Sequence, residues 1–181
     1  MWSVAGAVCV VGAAFLAGCG SSLHDMVARG DIAKAEALLS ARPEIIGSLD
    51  RLGKTPLHFA VSNQRLEAME LLVRHGADIN AADRTGMTPL HVAAVCGDAD
   101  HARWLLDHGA ALEARDVFGD TPVHTAAMNS QGRVLHVLDE RGADLYATNR
   151  AGLTALDLAR HNRLEQMARY LEKRCPEMRR R

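Results

Sequence analysis

Apolar and polar positions recur along this chain at a fixed interval. Gly53, Gly86, Gly119 and Gly152 stand 33 residues apart, and the residues around them keep step. Within one interval Leu90, Ala93 and Ala94 share a face at helical spacing, and Gly97 follows them. A second apolar-periodic stretch runs through Ala102 and Leu105-Leu106 to Gly109. Spacings of three and four place such side chains on one side of a helix, so each interval predicts two short helices. Thr88-Pro89 starts the first: threonine is a good N-cap, and proline suits the first helical position, where its missing N–H costs nothing. Gly97 suits the left-handed residue that ends a helix. Asp83-Arg84-Thr85-Gly86 then reads as a turn, with an Asp able to bond nearby backbone and a glycine free to adopt positive φ. An earlier, degenerate unit keeps Leu23, Gly30 and Leu38-Leu39 at the spacing of Leu90, Gly97 and Leu105-Leu106.

A period of this length over several units is the mark of a repeat architecture. Thr-Pro-x-His occurs at 55–58, 88–91 and 121–124, with Thr154-Ala155-Leu156-Asp157 as a worn copy. The period and this phrase resemble those of ankyrin-repeat proteins over residues 22 to about 174. The resemblance implies an all-α solenoid of about five helix-turn-helix units with short hairpin tips. The repeat domain is expected over 19–181: a degenerate cap at 22–52, units at 53–85, 86–118, 119–151 and 152–174, and a basic tail at 175–181. It implies that His58, His91 and His124 are structural, each ring bonding neighbouring turn backbone and locking consecutive units. Their replication argues the same way, since catalysis needs one irregular constellation. Trp104, at the position of Leu71, Val137 and Tyr170, reads as packing between outer helices. Asp139 stands where an apolar residue is expected, which marks the fourth unit as the easiest to open. Glu172 and Lys34 give the two ends a polar outer side, as capping units need. Gln64, Ser130 and Arg163 replace the helix-ending glycine.

The recognition surface that the resemblance implies is the concave side formed by turn tips and first helices. By register it includes Arg51, Leu52, Arg84, Met87, Val117, Phe118, Arg150 and Leu153, with Met128 on the adjoining helix. Apolar residues at exposed tips mark interaction surface, and Met and Phe favour interface cores. The arginines would form a basic rim. The competing reading is that Phe118 and Met87 fold back over the next turn.

Composition changes this picture little. A net charge of −1 removes the electrostatic case for a nucleic-acid partner. Aromatic content of 4% favours helices packed through small side chains over sheets. His75 and His108 belong to adjacent units about 10 Å apart, too far to share a metal ion. Cys96 and Cys175 lie two units apart, about 20 Å by helix-packing distance, so no disulfide is expected between them. The basic tail is either simply solvated or in touch with anionic lipid.

The first 23 residues carry no charged side chain, with an apolar run from Val4 to Ala17. Leu16-Ala17-Gly18-Cys19 at its end resembles the lipobox of bacterial lipoproteins. That implies a signal peptide over 1–18, a lipid on Cys19 and, in a cell that has an outer membrane, residence there facing the periplasm, because Gly20 rather than Asp follows. No Lys or Arg precedes the run, unlike an ordinary signal peptide. An uncleaved membrane anchor and plain secretion, with Cys19 a bystander, remain alternatives. The expected function is non-enzymatic: a monomer, without cofactor or metal, that holds a partner protein at the cell envelope. A periplasmic inhibitor or immunity-type protein of one enzyme or toxin is the second reading. A hydrolase using Cys96 or a histidine is disfavoured, since no base–orienter pair stands outside the repeat.

Overall fold

The computed structural model describes residues 22–176, so the N-terminal apolar run with Cys19 and the terminal arginines lie outside the described residues. Among the described residues the architecture is all-α, with ten α-helices in five antiparallel pairs. In order these are α1 (Leu23–Arg29), α2 (Ile32–Ala41), α3 (Pro56–Ser62), α4 (Leu66–Arg74) and α5 (Pro89–Cys96). They continue with α6 (Ala99–Asp107), α7 (Pro122–Met128), α8 (Gly132–Glu140), α9 (Ala155–His161) and α10 (Glu165–Arg174). A 3-10 turn, Pro43–Gly47, follows α2. The odd helices pack in series, α1 on α3 through α7 on α9, and each also packs on its own even partner. Two layers result, with the core between them.

The layers differ because their sequences do. In α5, Leu90, His91, Val92, Ala93 and Ala94 are all buried, since the helix has neighbours on most sides. Its alanines let those neighbours approach closely. In α4, Ala68, Met69, Leu71 and Leu72 are buried while Glu67, Glu70 and Arg74 face water. That is the amphipathic pattern of a helix covering one side of a core. Leu72, Leu105, Leu138 and Leu171, one per unit, are completely buried. Each contributes about 1.5–3 kcal/mol by leaving water.

The left-handed residue between paired helices shows where glycine is required. Gly30 and Gly97 take φ of 80° and 75°, and Gln64, Ser130 and Arg163 adopt 56°, 57° and 56° at the equivalent place. Glycine stands where a side chain of the next unit crosses the turn. Gln131 lies over Gly97 while its Nε2 donates to Val95 O at 3.1 Å, and Arg65 lies over Gly30 on its way to Ala28 O. After Gln64 the corresponding residue is Asp98, which turns back to cap its own helix. After Ser130 it is Leu164, which has no polar group to send across. At those two places, where a residue with a Cβ stands, no side-chain hydrogen bond from the next unit crosses the turn.

Asp139, which stands where an apolar residue is expected, has polar partners in the next unit. Its carboxylate lies 2.6 Å from Arg174 Nη2 and accepts from the Tyr170 hydroxyl at 3.3 Å, tying α8 to α10. The tail also differs from expectation. Cys175 is buried and belongs to the core, so the solvated tail does not begin there. Cys96 and Cys175 form no disulfide.

Candidate functional site

The histidines of the repeated phrase are built into the stack. Thr88 has extended backbone and opens α5, and its N–H donates to His91 Nδ1 at 3.2 Å. With Nδ1 occupied as an acceptor, the ring proton sits on Nε2, which donates to Asp120 O of the next unit at 3.1 Å. His58 repeats this from Thr55 to Met87 O, and His124 from Thr121 to Leu153 O. The tautomer is fixed by local cap and distant carbonyl together. Burial pushes the pKa of His58 and His91 below the usual histidine value, more than their carbonyl bonds and nearby aspartates raise it.

A fourth ring does the same job and was not legible as a member of the set. His24 Nε2 donates to Lys54 O at 3.1 Å, and the ring stands edge-on to Phe59. It precedes His58 by 34 residues rather than 33, and no Thr-Pro introduces it. The available signal was its place after Leu23, matching Leu90-His91. At the other end Asp157 takes the histidine position and forms the capping box with Thr154.

The tips form a ladder. Asp50, Asp83 and Asp116 each accept two backbone N–H groups of their own turn, and Asn149 does likewise through its amide oxygen. Neighbouring tips are joined by Arg84 N–H to Leu52 O, Val117 N–H to Thr85 O and Arg150 N–H to Phe118 O, at 2.9–3.0 Å. This close approach needs glycine: a Cβ on Gly86 would stand 2.8 Å from Asp116 Cα. One oxygen of each carboxylate is thus bonded inside its turn, and the exposed tip side chains include apolar and basic ones besides Thr85. Phe118 is 66% exposed and Leu52 60%, and Val117, Leu153 and Met128 are also exposed. Phe118 does not fold back; Met87 does so in part and is half-buried.

Two family models match the chain. One, described as ankyrin repeats (3 copies), matches residues 23–116. The other, ankyrin repeats (many copies), matches residues 100–139. The chain belongs to the ankyrin-repeat family. It is also similar to an ankyrin repeat protein of fowlpox virus (strain NVSL), with 41% identity over 58 residues. That match takes in 32% of this chain and 14% of the viral protein, so the chain spans only a small part of that relative. Ankyrin stacks are protein–protein interaction modules, and the tip ladder of this one offers exposed apolar side chains and guanidinium groups with no described partner.

The ankyrin surface is not uniformly basic. Arg150 is exposed, yet its Nη1 donates to Val117 O at 2.6 Å, and its stem covers Gly119. Arg115 Nη1 donates to Gly119 O and Thr148 O. Arg51 and Arg84 are exposed, and no described residue holds their guanidinium groups, though the Arg84 stem lies over Gly53. The rim guanidinium groups therefore have no described partner at its N-terminal half and are tied to backbone carbonyls at its C-terminal half, where Val117 and Phe118 also project.

Elsewhere the ankyrin stack offers less. His108 stacks on Trp104 with ring centroids 3.8 Å apart, and His75 has no share in that contact. His101 is buried in α6 where other units carry Ala68, Val134 and Met167. Its Nδ1 is 2.6 Å from Asp98 Oδ2, poorly aligned for a hydrogen bond, and its Nε2 has no partner. Burial raises the Asp98 carboxyl, and the His101 side chain and backbone outweigh this and hold it below the usual range. Burial raises the Cys175 thiol despite a hydrogen bond with Tyr146. A groove of about 420 Å³ opens between the starts of α8 and α10, lined by Ser130, Gly132, Leu164 and Tyr170 among others. Among the described residues no helix is long and apolar enough to cross a membrane, and no three metal-ligating side chains converge.

Proposed function

We propose that this ankyrin-repeat chain is a non-enzymatic module that holds one partner protein at the bacterial cell envelope through its tip row and the adjoining first helices. The observation that carries the binding surface is the exposed apolar row. Phe118, Val117 and Leu52 project from turns whose polar groups are already satisfied, so their exposure serves no local purpose. Patches of this kind mark interaction sites. The envelope rests on the apolar run and Leu16-Ala17-Gly18-Cys19, with Cys19 carrying the lipid. A lipid chain contributes about 0.8 kcal/mol per buried CH₂, so a doubly acylated cysteine anchors stably. A fold by itself names no function, and the surface chemistry carries the reading.

Two measurements test it. Mass spectrometry of the mature N-terminus is expected to show an acylated Cys19; an intact Met1, or an unmodified N-terminus beyond Cys19, removes the anchor. Affinity capture from envelope extract is expected to retain one protein that Phe118→Ala fails to retain. Equal capture by both forms moves the binding surface elsewhere.

A further inference from the structure

The tip row is divided, and the division specifies the chemistry of what fits it. At its N-terminal half Arg51 and Arg84 project with no described residue bonding their guanidinium groups, and Lys54 belongs to the same turn as Arg51. The acids of these turns are turned inward: Asp50 and Asp83 accept the N–H groups of Leu52, Lys54, Thr85 and Met87. At the C-terminal half the guanidinium groups keep their charge but are held against the backbone. Arg150 and Arg115 are committed to backbone carbonyls, and Val117, Phe118 and Met128 present exposed apolar surface. The halves adjoin, because Val117 N–H donates to Thr85 O.

We propose that the partner is read through one linear segment with acidic residues at one end and a bulky apolar residue at the other. The acids lie against Arg51 and Arg84, and the apolar side chain lies against Val117 and Phe118. This rests on the binding role proposed above for the tip row and adds the class of partner. Two observations select an acidic segment over a basic or wholly apolar one: guanidinium groups with no described partner on one half, and tip carboxylates turned by Oδ1 toward their own backbone on both. Successive units stand about 10 Å apart by helix-packing distance. An extended chain advances about 3.3 Å per residue, so about three residues separate the acidic and apolar ends. The apolar contact supplies affinity, and the charges supply selection and speed of encounter.

The test is fluorescence anisotropy with the full chain and short labelled synthetic peptides. One carries consecutive Asp and Glu residues, a Gly-Ser spacer of about three residues, and Trp-Leu. A second replaces the acids by Lys, and a third lacks Trp-Leu. The acidic-apolar peptide is expected to bind most tightly and to weaken as salt is raised, because exposed charges are screened. The double variant Arg51→Glu, Arg84→Glu should weaken it roughly tenfold or more and restore binding to the Lys peptide. That rescue separates lost recognition from lost folding, and unchanged thermal melts check the same point. Binding that ignores peptide charge but is lost in Phe118→Ala overturns the acidic class and leaves the tip row as a docking surface. Binding untouched by Phe118→Ala and by the charge variants overturns both readings. Absence of binding to every peptide, or binding of anionic phospholipid vesicles in their place, overturns the acidic segment.

Discussion

Two rows of residues run along the stack at the same interval, and they behave in opposite ways. The histidine row, His58, His91 and His124, is uniform in identity, buried, and bonded at both ring nitrogens. The tip row reads Leu52, Thr85, Phe118 and Ala151, varied in size and exposed. Both are equally periodic. Periodicity alone therefore cannot separate frame from site. What separates them is whether each unit needs the same side chain: a carbonyl one unit away must be met every time, whereas a partner touches each unit differently.

The tip glycines give the sharpest break of this comparison. Gly86 and Gly152 have similar backbone, with φ of 79° and 74°, but only Gly86 has a neighbour pressed against it. Gly86→Ala combines left-handed strain with a backbone collision at Asp116, for an expected loss of about 3 kcal/mol or more. Gly152→Ala carries the strain alone, about 1 kcal/mol, because nothing lies within 4 Å. Denaturant titration of both variants measures the difference. Equal losses would show that close stacking of tips is not what demands glycine.

His91→Ala comes next. It removes the donor to Asp120 O and the acceptor of Thr88 N–H, both buried, at an expected cost of about 1–3 kcal/mol. The melt should fall with no change in binding other than through stability. The same row sets a pH dependence. His58 and His91 titrate below their unfolded value of 6.5, so below about that pH the unfolded chain takes up more protons. Stability is complete above this value and is lost as pH falls through it toward the depressed folded pKa values. Melts from neutral to mildly acidic pH should show the decline, and His91→Ala should flatten part of it. A pH-independent midpoint in the parent chain would contradict the neutral, doubly bonded ring.

The fold was legible for a physical reason: each unit solves the same capping and packing problem, so Thr-Pro-x-His and the two glycines recur and confirm one another. What escaped were interactions made once. Asp139 reads as a lost apolar residue until Arg174, 35 residues on, is seen beside it. Arg150 reads as a freely projecting cation until its carbonyl acceptor on the preceding tip is known. His24 escaped because an extra residue breaks its register. The candidate surface was legible only as positions. Which side chains project from those positions depends on hydrogen bonds across units that no single unit encodes.

Phe118→Ala tests the other row. Its side chain is mostly in water, so truncation should leave the melt nearly unchanged, while partner binding should weaken by about 2 kcal/mol if Phe118 is a hot spot. A much lower melt with normal binding would place Phe118 in the frame after all.

The smallest expected effect distinguishes uniform from variable positions inside the frame itself. Ser130 and Gly97 are equivalent left-handed residues, but Gln131 crosses Gly97 to reach Val95 O, and Leu164 sends nothing polar across Ser130. Ser130→Gly relieves a left-handed serine at about 1 kcal/mol and adds unfolded-chain entropy of about half that or more. The net gain should be about 0.5 kcal/mol or less. The reverse change, Gly97→Ser, meets both the strain and the Gln131 side chain, so its loss should clearly exceed that gain. The excess should shrink when Gln131 is also changed to Ala, because the crossing group is then gone, and a double-mutant cycle reads that coupling directly. Equal and opposite effects at Gly97 and Ser130, with no coupling to Gln131, would mean that conformation alone chooses glycine at this turn. The crossing side chain would then be a consequence of the glycine and not its cause.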